Sequence, residues 1–172
     1  MPRWRRCFGV AAAALALSGC AGASPRGQLD HGVYRAREGF RVTVPGPDWE
    51  AATSGRAHFE LRHRTAAAGL FANAECGPEA AKRDLAVLTR RLFVGLRTRA
   101  AVENGVATIA GVPAAHTVME VPVGDDGERV RLEAYVVKDE RCVYDLVYVA
   151  SAAIFAERRA DFQRFVESFT RE

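Results

Sequence analysis

Nowhere do the 172 residues hold the roughly twenty consecutive apolar side chains that a permanent membrane-spanning helix needs. Histidine is scarce and scattered, at His31, His58, His63 and His116, and no HxH, HxxxH or CxxC spacing occurs, so a zinc site is not expected. The acidic stretch Gly124–Glu128 offers Asp125, Asp126 and Glu128 to calcium, but such loops supply about six or more oxygens. A charged β-turn is the simpler reading. GxSxG, SxxK and phosphate-cradling glycine loops are missing, and Ser54, Ser151 and Ser168 have no adjacent base. A hydrolytic triad would have to assemble from distant residues. Internal repeats, low-complexity blocks and a second linker are also absent.

What is present begins at the N-terminus. Arg3, Arg5 and Arg6 precede an apolar run from Cys7 to Leu17, the layout of a secretory signal. Cutting ahead of Cys20 would place Leu17 at −3, which suits an ordinary signal peptidase poorly. Leu17-Ser18-Gly19-Cys20 instead resembles the bacterial lipoprotein lipobox, whose cysteine sulfur receives a diacylglycerol before cleavage. The rival site is Ala21–Ala23, cut ahead of Ser24, which discards Cys20. Residues 1–19 are therefore expected to be a lipoprotein signal peptide and Cys20 the acylated first residue. The whole chain has 24 basic and 21 acidic residues, and removing the three signal arginines leaves it neutral. The basic pI belongs to the signal and gives no support to nucleic-acid binding.

Cysteine usage follows the same route. Cys7 leaves with the signal and Cys20 takes the lipid, so Cys76 and Cys142 remain as an even pair in an oxidising compartment. A disulfide is expected, with two buried thiols as the alternative. No histidine is near either cysteine in sequence, which disfavours a Cys-His catalytic pair.

Residues 20–30 are small and polar and read as a flexible tether. Residues 31–172 are one domain's worth of chain. Phe40, Val42 and Val44 alternate with Arg41 and Thr43 ahead of a Pro45-Gly46-Pro47 breaker, a half-buried strand. Ala57–Arg64 repeats the alternation, with Phe59, Leu61 and His63 on one face and His58, Glu60 and Arg62 on the other. Gly69–Cys76 is a third strand. From Pro78 one helix is predicted, its apolar face formed by Ala81, Leu85, Leu88 and Leu92. Further strands run through Leu96–Gly105, with Asn104-Gly105 as a tight turn, then Val106–Val123, Glu128–Asp139 and Arg141–Ala150. Asp145 alone interrupts the last of these, which reads as a central strand. A final helix, capped by Ser151, aligns Phe155, Phe162, Val166 and Phe169. The class is α+β.

Three blocks carry a resemblance: Phe40–Trp49, Ile109–Val121 and Tyr144–Phe169 resemble the PsbP/Mog fold, whose members include many bacterial lipoproteins. The resemblance implies an antiparallel sheet with helices on both faces, and no single activity, since members bind unrelated partners.

The expected role is that of a non-enzymatic accessory or binding subunit in the cell envelope. It would be anchored through its acyl chains to an extracytoplasmic membrane surface, without a cofactor, beside an unidentified envelope protein. Two alternatives stand: a carrier of a small apolar ligand or lipid, and a hydrolase with a dispersed triad. Lys82, Arg83, Arg90, Arg91, Arg97 and Arg99 form a basic run that reads as a solvated helix face or, more sharply, as a contact for anionic headgroups.

Overall fold

Alternating apolar and polar residues set many of the strands, and two left-handed residue pairs, His31-Gly32 and Ala110-Gly111, set turns between them. A computed structural model describes residues 23–24, 26–52, 55–96, 100–124 and 127–172. In chain order the first four strands are β1 (Ala23–Ser24), β2 (Gly27–Asp30), β3 (Val33–Ala36) and β4 (Phe40–Thr43). Then follow β5 (Trp49–Ala51), β6 (Phe59–His63), β7 (Ala68–Cys76), helix α1 (Pro78–Lys82) and helix α2 (Leu85–Leu92). The chain closes with β8 (Ala100–Ile109), β9 (Val112–Val123), β10 (Glu128–Lys138), β11 (Cys142–Ser151), α3 (Phe155–Glu167) and β12 (Thr170–Arg171).

Two antiparallel sheets result, one ordered β1-β2-β3-β4-β12 and the other β5-β6-β7-β11-β10-β9-β8. The fold is α+β, as expected. The hairpins β9-β10 and β10-β11 and the central place of β11 agree with the sequence reading, the last from its nearly continuous apolar run. Tyr144, Leu146 and Tyr148 on β11 are fully buried against Phe155, Phe162 and Phe165 of α3. Phe40 and Val42 of the small sheet and Phe59 and Leu61 of β6 complete this main core. A second cluster joins Ala80 and Leu88 to Val136 and Val143.

Four expectations need correction. The segment 20–30 is not all tether: Gly27–Asp30 pairs with β3 in full register, and a His31-Gly32 turn joins them with both φ values positive, 46° and 78°. The tight turn lies at Ala110-Gly111 (φ 48° and 79°), not at Asn104-Gly105, which stays inside β8 opposite Thr117 and His116. Twelve-residue β9 needs β8 along nearly its whole length, and a turn at 104–105 would strip Val106–Ile109 of their partners.

The helix from Pro78 is two helices. Arg83 leaves the helical region (φ −79°, ψ 144°), and its freed carbonyl accepts a 2.7 Å hydrogen bond from Lys138 Nζ. Ser151 does not cap α3. It ends β11, and Ile154 holds the N-cap position without a side-chain hydrogen bond.

Candidate functional site

Cys20, Arg97 and Arg99 lie outside the described residues. The expected disulfide is present: Cys76 and Cys142 face each other across β7 and β11 and are joined. The basic run does not present one free surface. Lys82 pairs with Glu79 at 3.4 Å, while Arg83 and Arg91 converge on Glu75 at 3.6 and 3.7 Å. Arg90 is exposed and its Nε donates back to the Ala86 carbonyl. Beside it Val87 and Val94 are 41% and 76% exposed.

Among the described residues, a wide open space adjoins the disulfide. Two neighbouring clefts of about 770 and 610 Å³ share Glu140, Arg141 and Glu172. The first is otherwise lined by Val112, Lys138, Asp139 and Arg171. The second reaches Arg37, Glu38 and Gly39 and the Cys76–Pro78 turn. Asp139 stiffens the floor: it accepts from the Arg141 and Cys142 amides at 2.8 and 2.7 Å and from the Tyr144 hydroxyl at 3.1 Å. Burial alone would push its carboxyl up, but these donors and Arg171 outweigh burial and hold it below the ordinary range. Burial and the Asp139 charge in turn raise Tyr144 to about 12. The result is an open trough whose rim carries charged groups of both signs.

A second polar cluster lies where α3 meets β8–β10. Strand alternation puts Glu133 on the same face as Tyr135, and His116 stands opposite Tyr135 in register. Glu133 is fully buried. Its carboxylate takes His116 Nε2 at 2.9 Å, Arg159 Nε and Nη2 at 2.8 and 3.0 Å, and Gln163 Nε2 at 3.1 Å. Arg159 reaches onward to Glu103 at 2.9 Å, and hydrogen bonds to both carboxylates raise its pKa further. On the opposite parity of β11, Asp145 lines a cavity of about 270 Å³ with Glu75, Leu88, Arg91, Leu92 and Val143. Burial, and then the Glu75 charge, raise Asp145 to about 6.

The histidines are spread over separate environments. His58, on the parity opposite His63, sits at the sheet margin just ahead of β6, 14% exposed, with Glu38 Oε1 at 3.0 Å and Asn73 Oδ1 at 2.6 Å. His63 is buried, as its parity predicts, and accepts from the Thr65 and Ala66 amides. Among the described residues no serine hydroxyl hydrogen-bonds a histidine, and no group of three or more His, Cys, Asp or Glu is placed to hold a metal. Among them also, no helix is long and apolar enough to cross a membrane. Neither the Glu133 cluster nor the cleft was read from the sequence. No sequence signal pointed to Glu133, because the alternation of β10 sets it with Arg129 and Arg131 on the polar parity.

Comparison with known proteins gives likeness in fold. No family model and no curated relative matches the sequence. LpqN of Mycobacterium tuberculosis, described as involved in cell envelope biogenesis, superposes with a TM-score of 0.59 at 16% identity, covering 76% of this chain and 82% of LpqN. The cyanobacterial PsbP of Synechocystis gives 0.55 at 14%, covering 91% of this chain and 99% of that one. A Pseudomonas aeruginosa protein, PA94, described as a putative regulator, gives 0.50 at 12%, covering 81% and 96%. The chain thus has a PsbP-like fold.

Proposed function

We propose that this chain is a non-catalytic accessory lipoprotein of the bacterial cell envelope, anchored through acyl groups on Cys20, which docks a partner protein in the cleft beside the Cys76–Cys142 disulfide. In this reading the mature protein starts at Cys20. Its PsbP-like domain carries α3 over one face of the large sheet and α1 with α2 over part of the other.

The observation that carries the docking role is the cleft. It is wide and open, its floor is fixed by the Asp139 hydrogen bonds, and its rim mixes Arg37 and Arg141 with Glu38 and Glu140. Charge of both signs on the rim favours specificity and orientation of a complementary protein surface over capture of an apolar ligand. The envelope role draws support from the lipobox-like Leu17–Cys20 and from the likeness to LpqN, itself described as acting in envelope biogenesis.

Two measurements test the reading. Intact-mass analysis of protein taken from its own membranes should find a diacylglyceryl group on Cys20, and a free thiol there, or a chain starting at Ser24, refutes the anchor. Cross-linking in intact cells should capture a neighbour through cleft residues, and Arg141→Glu should weaken that capture. Undiminished capture by the variant removes the cleft from the function.

A further inference from the structure

The small sheet has a covered face and an open one. Leu29, Tyr34 and Val42 follow one another across β2, β3 and β4 and pack inward. On the other parity, Gln28, Arg35, Arg41 and Thr170 form a row across β2, β3, β4 and β12, with Arg37 just beyond β3. All three arginines are exposed, and none makes an ion pair among the described residues; Arg41 only donates to the Thr170 hydroxyl. One acid, Asp30, shares this face in the adjoining row, its carboxylate 2.7 Å from His31 Nδ1, against three arginines.

The position of this row in the chain matters as much as its charge. β1 begins at Ala23 and pairs with β2. Only residues 21 and 22 separate it from Cys20, a fully extended reach of about 10 Å. An acyl-anchored sheet is therefore held within about one Debye length of the headgroups.

We propose that the open face of the small sheet, through Arg35, Arg37 and Arg41, rests on the anionic lipid surface of the membrane in which the protein is anchored. The proposal rests on the anchor at Cys20. The leash supplies proximity without orientation, and the arginine row supplies orientation. Near an anionic surface each cation adds about a fivefold preference, so three together favour this pose about a hundredfold. The α2 face, with Arg90 and Arg91, is the competing surface. It carries less free charge because Arg91 is shared with Glu75.

The test uses the lipidated protein purified from membranes and placed in nanodiscs of phosphatidylcholine alone or of phosphatidylcholine with phosphatidylglycerol. Arginine side chains are then footprinted with phenylglyoxal and read by mass spectrometry. Modification of Arg35, Arg37 and Arg41 should slow several-fold in the anionic discs, recover at high salt, and leave Arg90 unchanged. Equal rates in the two discs overturn the proposal, as does protection of Arg90 and Arg91 instead. Protection that is complete in phosphatidylcholine alone also overturns it, since that tracks a protein contact. The intact mass of the same sample reports the anchor separately. Where Cys20 proves unmodified, the anchor reading fails, and co-sedimentation of that released protein with phosphatidylglycerol vesicles decides the arginine face alone. Arg35→Glu with Arg41→Glu should then abolish binding, and Arg90→Glu should not.

Discussion

Removing the Glu133 carboxylate should be among the most damaging single changes in the domain, and its cost can be argued from the geometry. Glu133 is fully buried and is met by donors from His116, Arg159 and Gln163. Deleting one partner of a buried ion pair costs about 3–5 kcal/mol when the other charge is left stranded. Arg159 is not fully stranded: it is 34% exposed and keeps Glu103. Glu133→Ala should therefore fall at the low end, about 3 kcal/mol, or a drop of about 6–12 °C in Tm for a domain of this size. Glu133→Gln keeps the shape and one good acceptor for Arg159, and a neutral His116 ring can accept from the new amide. It should cost about 1 kcal/mol. Urea unfolding followed by far-UV circular dichroism measures both, provided the slope is unchanged between variants. A Glu133→Ala midpoint within about 1 kcal/mol of the parent would falsify the view that this carboxylate fastens α3 to the sheet.

Three other outcomes follow from separate parts of the fold. Reducing the Cys76–Cys142 bond, which closes a separation of 66 residues, should lower stability by about 4 kcal/mol; unfolding with and without reductant reports it, and a change under about 1 kcal/mol contradicts the loop-entropy account. Asp145 carries a raised pKa in the fold, about 6 against an ordinary value near 4, so the folded chain binds its proton more tightly than the unfolded one. Its contribution is fully present below about pH 4 and is lost as pH rises towards 6, leaving a penalty of at most about 3 kcal/mol at neutral pH, less where water reaches the open cavity. Asp145→Asn should flatten that stretch of the stability–pH curve and raise stability at pH 7 to 8, and an unchanged curve refutes the assignment. Gly27→Ala drives a methyl into the Tyr34 hydroxyl and the Arg35 carbonyl, so β2 should loosen by about 1–3 kcal/mol, seen as faster amide exchange in β2 and β3.

Strands β9 to β11 were legible because each is long and apolar residues recur through it, whereas β8 is exposed along nearly all its length and carries no alternating apolar face. Asp145 could be placed on a central strand because the run around it is otherwise apolar. Apart from β4, the small sheet was hidden because its strands are four residues or fewer, and Gly27–Asp30 has a single apolar side chain, Leu29, to show parity. Its closing strand, β12, comes from the opposite end of the chain. The Asn104-Gly105 signal was real as local chemistry but lost to length matching between β8 and β9. The break after Lys82 places Asp84 at the N-cap of α2 and frees the Arg83 carbonyl for a long-range hydrogen bond from Lys138. Likewise the cleft gathers residues from the β3–β4 turn, the β7–α1 turn, the β10–β11 turn and the C-terminus, so no stretch of sequence contains it.

Arg37 belongs to both surfaces, and this ties the docking role to the membrane. It follows β3 at the end of the arginine row and also lines the cleft beside Cys76 and Arg141. A sheet lying with its arginines on headgroups therefore opens the cleft at the border of the bilayer. A partner seated there would meet this protein beside the membrane rather than at the far end of a swinging tether. The two surfaces remain separable because Arg141 is on the cleft rim and outside the strand-paired row. Arg141→Glu should weaken cross-linking to the partner and leave the phenylglyoxal pattern of Arg35 and Arg41 as it was. Arg35→Glu with Arg41→Glu should do the reverse in cells, keeping cleft cross-links while spreading them over more neighbours, because the domain loses its fixed pose. Should either variant abolish both readouts while still folded, the two surfaces act as one site and the division drawn between them is wrong.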